Sequence, residues 1–386
     1  MFKKLAWAVS VVILTFSFNS NLVGATHPEN LSLDEKIGQM MCLDFRYWDF
    51  NSVQKPVKKI TPEIREIISK YHIGSVILFS QNFENVEQAK NLIQDLKRAA
   101  EDSHNLPLMI CVDQEGGKVE RFTFGRKRLK NNSEIKTFRE AFEKGEIIGK
   151  ELKEIGINCD FAPVVDVNSN PKNPVINVRS FSDNPDIVSL FAKNFMDGLH
   201  SQNIISTVKH FPGHGDTCVD SHLGLPRVNK SLKELENVEL KPFKSMINSG
   251  VDMIMTAHIE LPQIEKSTVI SKKDGKRIFL PATLSKKILT DLLRNNMKFK
   301  GVIVTDAMNM KAISENFGEA EAAKLAIKAG ADMLCMPTVL RSKKDVYKLD
   351  AIYKNLKCAI NNNEISEKQI NSSVSRLLKL KEKYCN

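Results

Sequence analysis

Five times along the chain an amphipathic stretch ends at a glycine and is followed at once by a run of apolar residues. The junctions are Tyr71-His72-Ile73-Gly74 before residues 75–79, Glu154-Ile155-Gly156 before 157–161, Asn248-Ser249-Gly250 before 251–255, Lys300-Gly301 before 302–305, and Lys328-Ala329-Gly330 before 331–336. Glycine supplies the left-handed residue that closes a helix, so each junction predicts a helix leading into a strand. Apolar runs at 40–45, 108–112 and 204–208 bring the predicted strands to eight. Helix starts are equally readable. Thr61-Pro62 offers a cap and a first-turn proline ahead of Ile64, Ile67, Ile68 and Tyr71, which share one helical face. Ser231 with Glu234 forms a capping box opening a helix toward Phe243, and residues 343–386 read as terminal helices rich in Lys and Leu.

Strands that are apolar at nearly every position are buried on both faces, as in a parallel sheet. Eight such strands alternating with helices predict an α/β fold of the (β/α)8 TIM-type barrel class. A doubly wound open sheet is the rival, but it would usually carry a glycine-rich phosphate fingerprint after a strand, and none is present.

Composition refines this picture at the ends. The chain has 386 residues, 42% hydrophobic and 26% charged, which suits one large barrel or two smaller domains. Lys3 and Lys4 precede an apolar run over 5–18, and Val23-Gly24-Ala25 offers small residues for cleavage. Fourteen apolar residues are short for a bilayer span, so residues 1–25 read as a signal peptide, with no cysteine near Ala25 for a lipid anchor. The expectation is an exported protein, periplasmic or extracellular, whose domain covers 26–386 and keeps no stable membrane anchor. Loss of Lys3 and Lys4 lowers the net charge from +10 to +8. The remaining lysines are dispersed and no nucleic-acid motif appears, so nucleic acid is not an expected partner. Seven cysteines stand at 42, 111, 159, 218, 335, 358 and 385. Those at 42, 111, 159 and 335 lie in apolar runs and read as small core residues, while a Cys358–Cys385 disulfide is left open.

In a barrel, chemistry belongs at the C-terminal strand ends. Asp113, Asp166, Lys209, His210, His258 and Asp306 all follow predicted strands directly. A lone acid there is often a helix cap, but five such strand ends on one rim, Lys209 and His210 sharing one, point to a site. Residues 209–226, Lys-His-Phe-Pro-Gly-His-Gly-Asp-Thr-Cys-Val-Asp-Ser-His-Leu-Gly-Leu-Pro, are too rich in Gly and Pro for regular structure and read as a long loop carrying proton-transfer groups. Two chemistries compete. A metal hydrolase would use His210, His258 and Asp306 as ligands, although the first strand carries no His-x-His and the loop lacks compact ligand spacing. Glycosyl transfer would use Asp306 as a rigid nucleophile, with Asp220 orienting His222 as a mobile acid/base.

The 209–226 stretch, with Asp220-Ser-His222 and Leu225-Pro226, resembles the signature of the β-N-acetylglucosaminidases of glycoside hydrolase family 3. Asp113-Gln-Glu-Gly-Gly-Lys-Val-Glu-Arg121, Phe161-Ala-Pro-Val-Val-Asp166, Asn173-Pro-Val-Ile-Asn-Val-Arg-Ser-Phe181 and Thr305-Asp-Ala-Met308 resemble the family in the same order. The resemblance implies a (β/α)8 barrel that removes terminal β-linked N-acetylglucosamine with retention, typically in peptidoglycan turnover. It places the nucleophile on Asp306, the acid/base on His222 and its partner on Asp220. Sugar binding falls on Asp113, Arg121, Arg179, Lys209 and His210, while Asp166 and His258 support these groups and His214 shapes the loop. The reading calls for no cofactor and no metal, and for a monomer acting on an N-acetylglucosamine-containing glycan or muropeptide. A neutral imidazole does not repel an incoming anion, so phosphate as well as water is an expected acceptor. Lys118 and Glu120 depart from the Arg and Gln of the family motif. No second domain of the kind that supplies an acid/base Glu in two-domain β-glucosidases is present, in keeping with a histidine in that role. A β-glucosidase or other exo-glycosidase on the same barrel is the runner-up, and a sugar-binding protein without catalysis would need neither Asp306 nor His222.

Overall fold

A computed structural model describes residues 27–102, 106–217 and 224–385. Eight parallel strands form its centre: β1 (Met41–Asp44), β2 (Ser75–Leu78), β3 (Met109–Val112), β4 (Cys159–Asp160), β5 (Ile205–Phe211), β6 (Met253–Thr256), β7 (Val302–Val304) and β8 (Leu334–Cys335). From β1 to β7 each pairs with the next in chain order, and β8 pairs with β1. The ring closes where Val304 bridges Met333 and the Thr305 amide donates to the Met333 carbonyl at 3.0 Å. The fold is the expected (β/α)8 barrel. Every residue of all eight strands is buried, between the barrel interior and the helical coat, which is why they read as unbroken apolar runs.

The coat includes Pro62–Lys70, Val86–Glu101, Phe138–Ile155, Pro185–Ser201, Leu240–Asn248, Glu319–Ala329 and Val346–Asn361, with Glu367–Tyr384 behind the last. Thr61 caps Pro62–Lys70 by accepting from the Ile64 amide at 3.3 Å, and Ile64, Ile67 and Ile68 are buried on its inner face. The Ser231–Glu234 capping box also forms, but its helix stops at Asn237 and a second one carries Phe243.

The glycine junctions divide into two kinds. Gly156 and Gly330 close helices with φ of 90° and 118°. At the first and fourth junctions His72 and Lys298 take the positive φ instead. Gly74 and Gly301 serve close packing there, since a Cβ would stand 2.5 Å from the Gln39 carbonyl oxygen or 2.3 Å from that of Asp252.

Cys42, Cys111, Cys159 and Cys335 are buried, and Cys358 and Cys385 are free thiols, which answers the open disulfide. Two short hairpins, Tyr47–Phe50 with Val53–Pro56 and Thr268–Ile270 with Arg277–Phe279, were not among the predicted elements. Their positions are mostly half-buried or exposed, so they lack a clear apolar period. Among the described residues, no helix is long and apolar enough to cross a membrane. The signal-peptide reading of residues 1–25 lies outside the described residues.

Candidate active site

Two acids on the loop leaving β3 organise one wall of the site. Asp113 accepts from Lys209 Nζ at 2.8 Å and from Arg121 Nη2 at 3.0 Å. Glu115 accepts from Lys209 Nζ at 2.7 Å and from the Arg179 fork, Nε at 2.9 Å and Nη2 at 2.7 Å. Lys209 is therefore shared by two carboxylates, with two guanidiniums flanking it. The loop is curled so that Arg121 reaches back: its amide donates to Gln114 Oε1 at 2.7 Å, and Gln114 Nε2 donates to the Phe122 carbonyl at 2.9 Å. Burial would raise the carboxyl pKa of Asp113 and of Glu115, but the adjacent cations outweigh it. Lys209 and Arg121 hold Asp113 far below its ordinary range, and Arg179 and Lys209 hold Glu115 at about 2. Both acids are anionic at any working pH.

The second wall corrects the expected loop boundary. β5 continues through Lys209, His210 and Phe211, with a register irregularity between Val208 and Phe211 in its pairing to β6. Lys209 and His210 thus belong to the barrel wall. His210 Nδ1 lies 2.6 Å from Asp166 Oδ2, and the His210 and His214 amides donate to the same carboxylate at 3.2 and 2.6 Å. Burial works against ionisation of Asp166, yet His210 and these donors hold its pKa below the ordinary value. His210 Nε2 lies 3.5 Å from Arg179 Nη2.

Asp306 follows β7 and its carboxylate is half-buried. Burial alone would raise its pKa, but His258, His210, the Ala307 amide and Lys209 together keep it below the ordinary value. Ala307 N–H donates to Asp306 Oδ1 at 2.7 Å. His258 sits behind this turn, with Nδ1 2.8 Å from Thr283 Oγ1 and Nε2 3.1 Å from the Ala307 carbonyl. It braces the backbone beside Asp306. Among the described residues, no group of three or more His, Cys, Asp or Glu side chains is arranged to hold a metal ion, so His210, His258 and Asp306 do not form the ligand set considered from sequence.

These walls enclose a cavity of about 530 Å³ at the C-terminal rim. Asp113, Arg121, Arg179, Lys209, His210 and Asp306 all line it, so six of the eight predicted site residues converge. Asp220 and His222 lie outside the described residues. His214 lines the cavity too, and its Nδ1 meets Thr217 Oγ1 at 2.8 Å. The start of the loop is held firmly: Asn173 Nδ2 donates to the His214 and Gly215 carbonyls at 2.8 and 3.0 Å, and a Cβ on Gly215 would fall 1.6 Å from the Val167 carbonyl oxygen. Sequence reasoning missed Glu115, although it stands two residues after Asp113 in the same quoted motif. It also missed Arg46, which lines the cavity with its guanidinium 3.4 Å from the Phe79 ring centroid.

A polar cavity with fixed carboxylates and cations thus opens at the strand ends of the barrel, where barrels of this class place their chemistry. Residues 32–380 match the model described as the glycosyl hydrolase family 3 N terminal domain, and the chain belongs to that family. It is 39% identical to Beta-hexosaminidase A of Pseudoalteromonas piscicida, over 96% of this chain and 64% of that protein. It is 36% identical to the Beta-hexosaminidase of Tolumonas auensis, over 72% of this chain and 79% of that one. Among solved structures, a glycoside hydrolase family 3 beta-N-acetylglucosaminidase from Paenibacillus sp. superposes with a TM-score of 0.81 at 36% identity, covering 92% of this chain and 63% of that chain. The chain thus spans less than two thirds of the length of two of these three relatives.

Proposed function

We propose that this protein is a retaining exo-β-N-acetylglucosaminidase. The observation that carries the reading is the Asp306 carboxylate, held ionised at the cavity edge opposite the Asp113–Lys209–Glu115–Arg179 network. Asp306 attacks C1 of the bound sugar while His222, oriented by Asp220, protonates the departing oxygen. His222 then deprotonates the acceptor, which releases the sugar. Asp113 accepts from sugar hydroxyls, and Arg121, Arg179 and Lys209 donate to hydroxyl and acetamido oxygens. His210 hydrogen-bonds a sugar hydroxyl through its ring. The names of the relatives, beta-hexosaminidases and a beta-N-acetylglucosaminidase, support the activity.

The natural substrate is a peptidoglycan fragment. Arg46, whose Nε lies 3.8 Å from Asp44 Oδ2, and Lys311 line the cavity outside the Asp113–Glu115 network. Such cations suit an aglycone bearing a carboxylate. Residues 1–25 direct export, and 26–386 form the catalytic domain, acting as a monomer. Phosphate serves as an alternative acceptor, because the imidazole is neutral when it arrives.

A parallel assay of aryl N-acetyl-β-glucosaminide and aryl β-glucoside, with Asp306→Asn and His222→Ala alongside, tests the reading. The acetamido substrate should be strongly preferred and both variants impaired. Equal rates on the two sugars would return the assignment to the β-glucosidase alternative. Adding phosphate should yield sugar 1-phosphate; hydrolysis alone at every phosphate concentration refutes that acceptor.

A further inference from the structure

We propose that Lys144 is a positioning residue for the Arg179 sugar contact, acting through Asn132. The inference rests on the reading of Arg179 given above. Lys144 lies on the helix Phe138–Ile155 and is buried. Its Nζ donates to Asn132 Oδ1 at 2.6 Å, and Asn132 Nδ2 donates onward to the Arg179 carbonyl at 2.7 Å. The chain from helix to sugar-binding residue is two hydrogen bonds long.

Three features set Lys144 apart from an ordinary packing residue. Among the described residues, no carboxylate lies within ion-pair distance of its ammonium, so its direct partner is a neutral amide. Burying a cation this way is costly, and burial pushes its pKa down to about 8 against the pull of Glu115, Glu120, Glu134 and Asp160. An apolar side chain would fill the space without that cost. Its stem also packs against the turn after Glu115, since a Cβ on Gly116 would stand 2.5 Å from Lys144 Cε. One side chain therefore touches the loop that presents Glu115 and, through Asn132, the loop that presents Arg179. Glu115 holds the guanidinium; Asn132 holds the backbone from which it springs. An arginine fixed at both ends keeps its donors aimed while the pocket is empty, the condition for binding without reorganisation.

Asn132→Asp separates positioning from packing. It keeps the acceptor for Lys144 and gives it an ion pair, but it removes the amide donor to Arg179 and sets a carboxylate against that carbonyl. The expected result is a KM for aryl N-acetyl-β-glucosaminide raised about tenfold, the effect of one lost hydrogen bond, with kcat within about twofold and the unfolding temperature not lowered. Lys144→Met should raise KM similarly, and Asn132→Asp combined with Arg179→Lys should show no more than the Arg179→Lys effect, because linked residues are not additive. An unchanged KM in Asn132→Asp and Lys144→Met beside a raised one in Arg179→Lys overturns the relay and leaves the sugar contact standing. An unchanged KM in Arg179→Lys removes the contact itself, and the relay with it.

Discussion

Glu115→Gln measures the contribution of the network that the sequence motif contained but did not announce. The native carboxylate is 1% exposed, accepts from both arms of Arg179 and from Lys209, and has no counterpart that could replace it for Arg179 among the described ion pairs. Lys209 keeps Asp113 at 2.8 Å, but the Arg179 fork loses its ion-pair partner and meets an amide whose NH2 group opposes it. Breaking a buried pair from one side costs about 3–5 kcal/mol, and the retained amide oxygen argues for the lower end, about 3 kcal/mol. A 386-residue chain has an unfolding entropy near 0.8 kcal/mol/K at about 2.1 cal/mol/K per residue, so Tm should fall by about 4 °C. The pH dependence has a definite sign. The folded pKa of Glu115, about 2, lies below the ordinary 4.5, so its contribution is complete above pH 4.5 and is lost as pH falls toward 2. Scanning calorimetry of both proteins from pH 7 down to pH 4 is the assay, with KM measured at pH 7. The difference should be constant to about pH 5 and then begin to shrink, with KM raised because Arg179 and Lys209 lose their alignment. An unaltered Tm together with an unaltered KM would falsify the energetic reading.

Three further outcomes are expected. Asp306→Asn should lower kcat by on the order of 10⁴-fold while leaving the unfolding transition in place, as judged by circular dichroism; near-normal turnover would end the covalent mechanism. His222→Ala should cost about 10²–10⁴-fold on substrates with poor leaving groups and much less on activated aryl glycosides, so equal losses on both would count against an acid role. His214 is held neutral, its pKa lowered to about 4 mainly by burial and by the neighbouring His210, while the unfolded chain protonates near 6.5. Stability should therefore decline as pH falls from 6.5 toward 4, with His214 accounting for about 2 kcal/mol at pH 5 relative to neutrality. Urea unfolding of wild type and His214→Gln at pH 7 and pH 5 checks this, and parallel losses in the two proteins would exclude His214 as the source.

The barrel was legible because its strands are buried on both faces and so advertise themselves as unbroken apolar runs. The rim residues were legible because a single acid or base directly after such a run has few other places to point. What stayed hidden depends on partners far along the chain. Glu115 looks like any loop acid until Arg179, 64 residues later, closes on it. The end of β5 was hidden for a different reason: Lys209-His210 looks polar, yet both side chains are buried in the wall by Asp113, on the loop leaving β3, and by Asp166. Gly74 and Gly301 misled because sequence cannot tell a glycine that needs a positive φ from one that lets two backbones touch.

The continuation of β5 through Phe211 divides labour between two parts of the molecule. The groups assigned to gripping the sugar are carpentered into the barrel wall and its neighbouring loops, whereas Asp220 and His222 come later in the sequence, past Pro212 and the stretch that Asn173 anchors. Exchanging the segment beyond that anchor for a relative's should therefore change the proton donor, and with it the tolerated leaving group, without recarving the sugar seat.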